Sequence, residues 1–385
     1  MRLRARFTVS WAMVLLAWVP ALAQTTALPP PSSTGFEVPG GWLGPAWGVE
    51  VYDDEMFALS PRDPGECLAL ADPELVVCGT KKGLLVALAT HDGSEVWSRT
   101  FPGSFRGRPV PAADGSLFVA GGDGCLHRLD PRTGVSRWEK PYCVPSPFVG
   151  EPVLLGNILV AMTMTEQVHG IDALARVPIW KFEEGLPRLL ASEGTASPVA
   201  VGNDVLVGLS TGFLVRLSGD TGKPVWSVNL GTDVQGAPDV DATPVVRDGI
   251  AYTSSFGRGP VAVQVRDGTV VWRGSEYGAT QALVTDTLVL VGTAEGTVVA
   301  RRRSDGQPAW RARLSTSAVG SPVQVGRRVV VSGGRGLWLL DLRTGRPLDH
   351  LSMLWGIEGT PTVLGNRVFF VGNGGTIQAV DVLVP

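Results

Sequence analysis

The sequence predicts an all-β protein: an eight-bladed β-propeller of four-stranded antiparallel blades, its ring closed by an N-terminal strand near Trp47. Three observations carry this expectation. First, a turn glycine followed four residues later by tryptophan recurs as DGSEVW (Asp92 to Trp97), TGVSRW (Thr133 to Trp138), TGKPVW (Thr221 to Trp226), DGTVVW (Asp267 to Trp272) and DGQPAW (Asp305 to Trp310). Second, a proline, followed in most copies by an apolar residue, opens each unit at Pro109, Pro152, Pro198, Pro244, Pro322 and Pro361. With Ala282-Leu283 between Pro244 and Pro322, and a unit without proline before Asp92, there are eight openings about 42 residues apart, the period of four-stranded blades. Third, 49 Gly, 29 Pro and 12 Trp with only 18% charged residues suit many short strands joined by tight turns better than helices.

Taken from the N-terminus, residues 1–23 read as a secretory signal peptide. Arg2, Arg4 and Arg6 precede an apolar run from Phe7 to Val19, and Ala21-Leu22-Ala23 supplies small residues for cleavage. That run is too short to span a bilayer comfortably, so no transmembrane segment is expected in the mature chain, which should be exported to the periplasm or an equivalent compartment. Residues 24–45, with LPPPSST and PGG, read as a flexible Pro/Gly/Ser-rich arm, and residues 46–385 as a single propeller.

Within one unit the expected strands are Val199 to Val201, Val205 to Leu209, Phe213 to Leu217 and Val225 to Leu230, separated by Gly, Asn and Asp turns. Two copies are degenerate: LARVPIW ends at Trp180 without the glycine, and TGRPLD has Asp349 where the tryptophan belongs. The eighth unit stops without a fourth strand, and PAWGVEV around Trp47 is suited to supply it, which removes the open sheet edge.

The four cysteines sit where two hairpins would oppose them. Cys67 and Cys78 are symmetric about a turn near Asp72-Pro73, and Cys125 and Cys143 about Gly134. Directly opposed residues approach closely enough for a disulfide, while four buried or free thiols are the alternative.

The formal net charge of −3 argues against a nucleic-acid partner. Gly208-Leu-Ser210-Thr-Gly212 matches a hydrolase nucleophile elbow, yet other units carry AGGDGCL, VGTAEGTV or SGGRGLW at the same turn, and a strand follows rather than a helix. Ser210 is therefore read as a turn residue. Asp53, Asp54 and Glu55 lack the glycine-bearing spacing of a calcium loop, and His91, His127, His169 and His350 lack ligand spacing for zinc, so no metal site is expected. Arg301 is anomalous, since the equivalent positions are Leu88, Leu129, Leu217, Val263 and Leu340. Either the strand shifts register or ends in solvent there, or the guanidinium has an anionic partner, because burying an unpaired charge is costly.

The repeat A-x-D-x-x-T-G-x-x-x-W resembles the pyrroloquinoline-quinone-type, or tryptophan-docking, propeller family. Within it, DVDATPVV (Asp239 to Val246) is similar to a blade opening, DVDTTPVV, of the B component of the outer-membrane β-barrel assembly machinery. The two long units, of 46 residues from Pro152 to Pro198 and from Pro198 to Pro244, also match that branch. The resemblance implies a non-catalytic scaffold without cofactor that binds envelope proteins, among them the barrel-assembly pore protein. Carried over by position, Asp239 and Asp241 would contribute carboxylates to that partner and Leu189 and Leu190 an apolar contact. Arg188 lies just before the leucines, while Glu193 stands where the family has a basic residue; no lipoprotein cysteine follows the signal segment, the next cysteine being Cys67. The other branch, quinone-dependent dehydrogenases, implies a ligand in the central funnel, but its adjacent cysteine pair is missing here.

Overall fold

The middle strands of the repeat are near-continuous apolar runs, LVVCG at Leu75–Gly79 and LLVALA at Leu84–Ala89, and nearly every side chain in them is buried. Such strands need cover on both faces, which neighbouring sheets supply when sheets are stacked around a ring. The outer strand Glu95–Thr100 is different: among EVWSRT only Trp97 is buried. The computed structural model describes residues 40–52, 62–184, 196–231 and 239–383, which form eight four-stranded antiparallel sheets arranged as propeller blades.

Seven blades are consecutive meanders, opening at Cys67, Val110, Phe148, Val199, Val245, Leu283 and Val323. In the fourth, the strands are Val199–Val201, Asp204–Gly208, Phe213–Ser218 and Pro224–Asn229, each within a residue of the expected bounds. The eighth blade combines Thr362–Leu364, Arg367–Gly372 and Thr376–Val382 with the N-terminal strand Leu43–Glu50, which pairs Trp47 with Ala379. That strand takes in Leu43 to Pro45, which the sequence placed in the arm. A bulge between Pro45 and Trp47 accommodates a proline that has no N–H for the ladder.

The core lies between blades. Val160, Met162, Val168 and Trp180 of the third blade pack on Val205, Val207, Leu209, Val215 and Leu217 of the fourth. Each such side chain contributes about 1.5–3 kcal/mol when fully buried. Across seven of the eight junctions the indole of the outer strand also donates to a carbonyl on the next blade. Trp47, Trp97, Trp138, Trp180, Trp226, Trp272 and Trp310 bond Thr90, Pro131, Ala173, Gly219, Val265, Arg303 and Leu342 at 2.6–3.1 Å. The glycine of that turn is needed twice over, as Gly222 shows: its φ is 65°, and a Cβ there would lie 2.4 Å from the Trp180 ring. In the degenerate third blade Arg176 occupies the glycine position, still at φ 61°.

Both cysteine pairs form disulfides, Cys67–Cys78 with S–S 2.04 Å and Cys125–Cys143 with S–S 2.02 Å. In each pair the two residues are directly opposed on adjacent strands. The second bridge joins the outer strand of the second blade, two residues long at Tyr142–Cys143, to its neighbour.

Candidate functional site

In a propeller the first strands line the axis, and here the first strands of successive blades pack on one another around it. The residue just before each opening proline, or its equivalent, is polar in all eight units: Glu66, Arg108, Glu151, Ser197, Thr243, Gln281, Ser321 and Thr360. A residue before proline is held extended, which fixes where these side chains project. They knit neighbouring blades together. The Glu151 N–H donates to Ser197 Oγ at 2.8 Å, the Ser197 N–H to Thr243 Oγ1 at 2.9 Å, and the Thr360 N–H to Glu66 Oε1 at 3.2 Å. The repeated rule is that a side chain accepts the backbone N–H of the preceding blade. The same close spacing explains Gly107, where a Cβ would meet the Gly150 carbonyl at 2.3 Å.

One arc of this ring is charged. Arg108 lies between two carboxylates, with Nε 2.6 Å from Glu151 Oε1 and Nη2 3.3 Å from Glu66 Oε2. Partial removal from water pushes the Glu151 carboxyl up to about 7; Arg108 opposes the shift and the Glu66 charge adds to it. Sequence reasoning missed these three, because the prolines beside them marked the repeat and drew attention from the polar position preceding each one. On another arc, a cleft of about 210 Å³ is lined by Asp241, Thr243, Thr280, Gln281 and Ser321, with Ala242 and Ala279.

Asp239 and Asp241 both lie on the segment entering the fifth blade, ahead of its first strand at Val245. Neither lies in a strand. Val240 between them is a core residue, 1% exposed against Leu206 and Leu214, and Asp239 is itself 2% exposed while Asp241 is half-buried. Leu189 and Leu190, with Arg188 and Glu193, fall outside the described residues, as do Asp53, Asp54 and Glu55.

The remaining candidates have structural partners. The Ser210 N–H and Oγ both bond the Glu166 carboxylate of the preceding blade, at 2.7 and 2.9 Å. Asp123, Cys125 and His127 cluster with metal-like spacing, but the Cys125 sulfur is committed to its disulfide and His127 Nε2 lies 3.0 Å from Asp123 Oδ2. Arg301 stays in register opposite Val289 and remains buried, so neither a slipped nor a solvated strand accounts for it. Its partner is internal: Nε and Nη2 clasp both oxygens of buried Glu276 at 2.9 and 2.5 Å.

The axial arc bears on whether a quinone suits the funnel. A tricarboxylate quinone needs unspent positive charge, and here the one guanidinium of the charged arc is already shared by two carboxylates. These three residues do not fit such a group.

Fold and site define a class: a tryptophan-docked propeller of quinoprotein-type repeats, with a polar ring at its axis. A family model described as outer membrane protein assembly factor BamB matches residues 81–285 and 257–355, and the chain belongs to that family. A relative of that name from Alteromonas naphthalenivorans is 27% identical over 60% of this chain and 59% of its own length. One from Moranella endobia is 21% identical over 79% and 82%. The chain spans little more than half the length of the first relatives it matches, 59% of the Alteromonas protein and 54% of one from Legionella pneumophila. Among solved structures, BamB from Moraxella catarrhalis is similar with a TM-score of 0.72 at 20% identity, covering 87% of this chain and 99% of that one. A quinohemoprotein alcohol dehydrogenase from Pseudomonas putida has a TM-score of 0.66 at 13% identity, covering 89% and 76%. These structural likenesses speak to the fold alone.

Proposed function

We propose that this protein is a non-catalytic periplasmic scaffold in outer-membrane β-barrel protein assembly, binding envelope proteins and, among them, the barrel-assembly pore protein. The observation that carries this reading is the match of the assembly-factor family across most of the blades. Its rigid ring supports the reading, since loops on a pre-formed frame bind with little ordering cost.

The docking surface in this reading centres on the entry to the fifth blade and the segment bearing Leu189 and Leu190. Asp241 offers a half-buried carboxylate beside the cleft, and Asp239, nearly inaccessible, lies two residues before it on the same entry segment. The test is a photoreactive side chain at Leu190, irradiated in the native envelope, with captured proteins identified by mass spectrometry. Capture of the barrel-assembly pore protein, lost in Asp241→Ala, is the expected result. Capture of other envelope proteins in its place would remove the assembly assignment.

A further inference from the structure

Glu66, Arg108 and Glu151 come from three successive blades and meet at the axis, so whatever changes their mutual attraction changes how those blades are held together. Arg108 is a single cation between two anions. Glu66 is the better supplied carboxylate, because it also accepts the Thr360 N–H across the ring closure. Glu151 depends on the guanidinium it shares with Glu66.

We propose that Glu66, Arg108 and Glu151 form a proton-operated clamp that holds the axial ends of the first three blades, tight when Glu151 carries a proton and looser when it is ionised. With Glu151 neutral, Arg108 and Glu66 form a balanced pair and Glu151 keeps its hydrogen-bonding capacity without a second negative charge in the cluster. With Glu151 ionised, two carboxylates compete for one guanidinium between blades, where the three side chains are only partly exposed to screening water.

Among the described residues, the strands packed most closely against this one carry no other ionisable group. Glu151 lies on Phe148–Leu155, and its packing partners Val110–Pro111, Leu117–Ala120, Ile158–Thr163 and Val199–Val201 carry none. Nearby, Arg106 precedes Arg108 by two residues, and Arg62 pairs with Glu358 at 3.8 Å. His169 packs on Phe148, and burial holds its imidazole below the ordinary value. Asp63, three residues before Glu66, is a second buried carboxyl that burial holds above the ordinary value, so loss of the step in Glu151→Gln is what assigns it to Glu151.

The direction follows from linkage. The folded protein holds the Glu151 proton up to about pH 7, whereas the unfolded chain releases it near 4.5. Between those values the native state binds more protons, so the contribution of the clamp is complete below 4.5 and declines as pH rises to about 7. For one proton the opening constant rises by up to about tenfold per pH unit across that window and levels above it.

The test is native-state hydrogen exchange of the intact protein from pH 5 to 8.5, corrected for the intrinsic rate, followed at the first strands of the first three blades. Wild type is expected to open more readily as pH rises toward 7 and to level off above it. Glu151→Gln should abolish the step and stay protected at pH 8.5. Glu66→Gln, which keeps the Arg108–Glu151 pair and removes the competing charge, should move the step to lower pH; it serves also if Glu151→Gln fails to fold. A flat wild-type profile, or a step that persists unchanged in either folded variant, would overturn the clamp.

Discussion

The Asp349 carboxylate accepts the backbone N–H groups of Trp42 and Leu43 through Oδ2, at 2.7 and 2.8 Å, while Oδ1 takes the His350 N–H. Asp349 stands where the seven other blades carry their docking tryptophan. The substitution has a topological cause. The eighth blade takes its outer strand from the N-terminus, so it has no turn between third and fourth strands, and an indole from the seventh blade would have no glycine to lie on. A short carboxylate instead caps the start of the incoming strand. Asp349→Ala should cost about 1.5–3 kcal/mol, the worth of charged hydrogen bonds to backbone. Urea unfolding measures the loss, and exchange of amides in Leu43–Glu50 should accelerate more than elsewhere.

Glycines that share a positive φ should separate by what lies above them. Gly222 (φ 65°) faces the Trp180 ring, whereas Gly202 (φ 61°) has open space where its Cβ would be. Gly202→Ala should cost about 1 kcal/mol for the left-handed backbone alone. Gly222→Ala adds displacement of the indole and should cost about 2–4 kcal/mol. Equilibrium unfolding of the two variants distinguishes them, and equal losses would mean that the ring slides aside freely.

What the sequence made legible was whatever the chain repeats. Trp97 and its equivalents, the strands around Pro198 and the opposed cysteines follow from local spacing, because a blade is built from neighbours in sequence. The unread features depend on contacts between units or on breaks in the pattern. Glu276 stands in the linker between two blades, outside the repeated strand and turn positions, so nothing marked it as the partner of Arg301. Asp349 registered as a lost tryptophan, since its role exists only once the N-terminal strand is in place. The polar residue before each opening proline did repeat, yet its chemistry varies from Glu to Arg to Thr, so it escapes a search for identity.

Ser210 gives a simple discrimination between turn and nucleophile. A nucleophilic serine needs a base that accepts its proton, and a histidine or lysine usually serves. Here the hydroxyl and the N–H both point at Glu166, tying the turns of two neighbouring blades. Fluorophosphonate probes should leave Ser210 unmodified, as read by peptide mass spectrometry. Ser210→Ala should lower stability by about 1–2 kcal/mol through the bond lost to the Glu166 carboxyl group.

Arg301 and Glu276 permit the sharpest energetic test. Both are nearly inaccessible, their side chains 9% and 2% exposed, and the guanidinium also bonds the Gly306 carbonyl in the turn beneath Trp272. Arg301→Leu restores the residue type that the repeat prefers, so pattern alone argues for a gain. Physics argues otherwise, because Glu276 would be left buried without its cation, a loss of about 3–5 kcal/mol. The double variant Arg301→Leu with Glu276→Leu removes both charges and should recover most of that loss, since a buried pair offsets little more than its own desolvation. A thermal-unfolding double-mutant cycle reads the coupling directly. If Arg301→Leu alone raised the melting temperature, the pair would be dispensable, and Glu276 would have to find its counter-charge in Arg311, whose guanidinium stands 3.8 Å away.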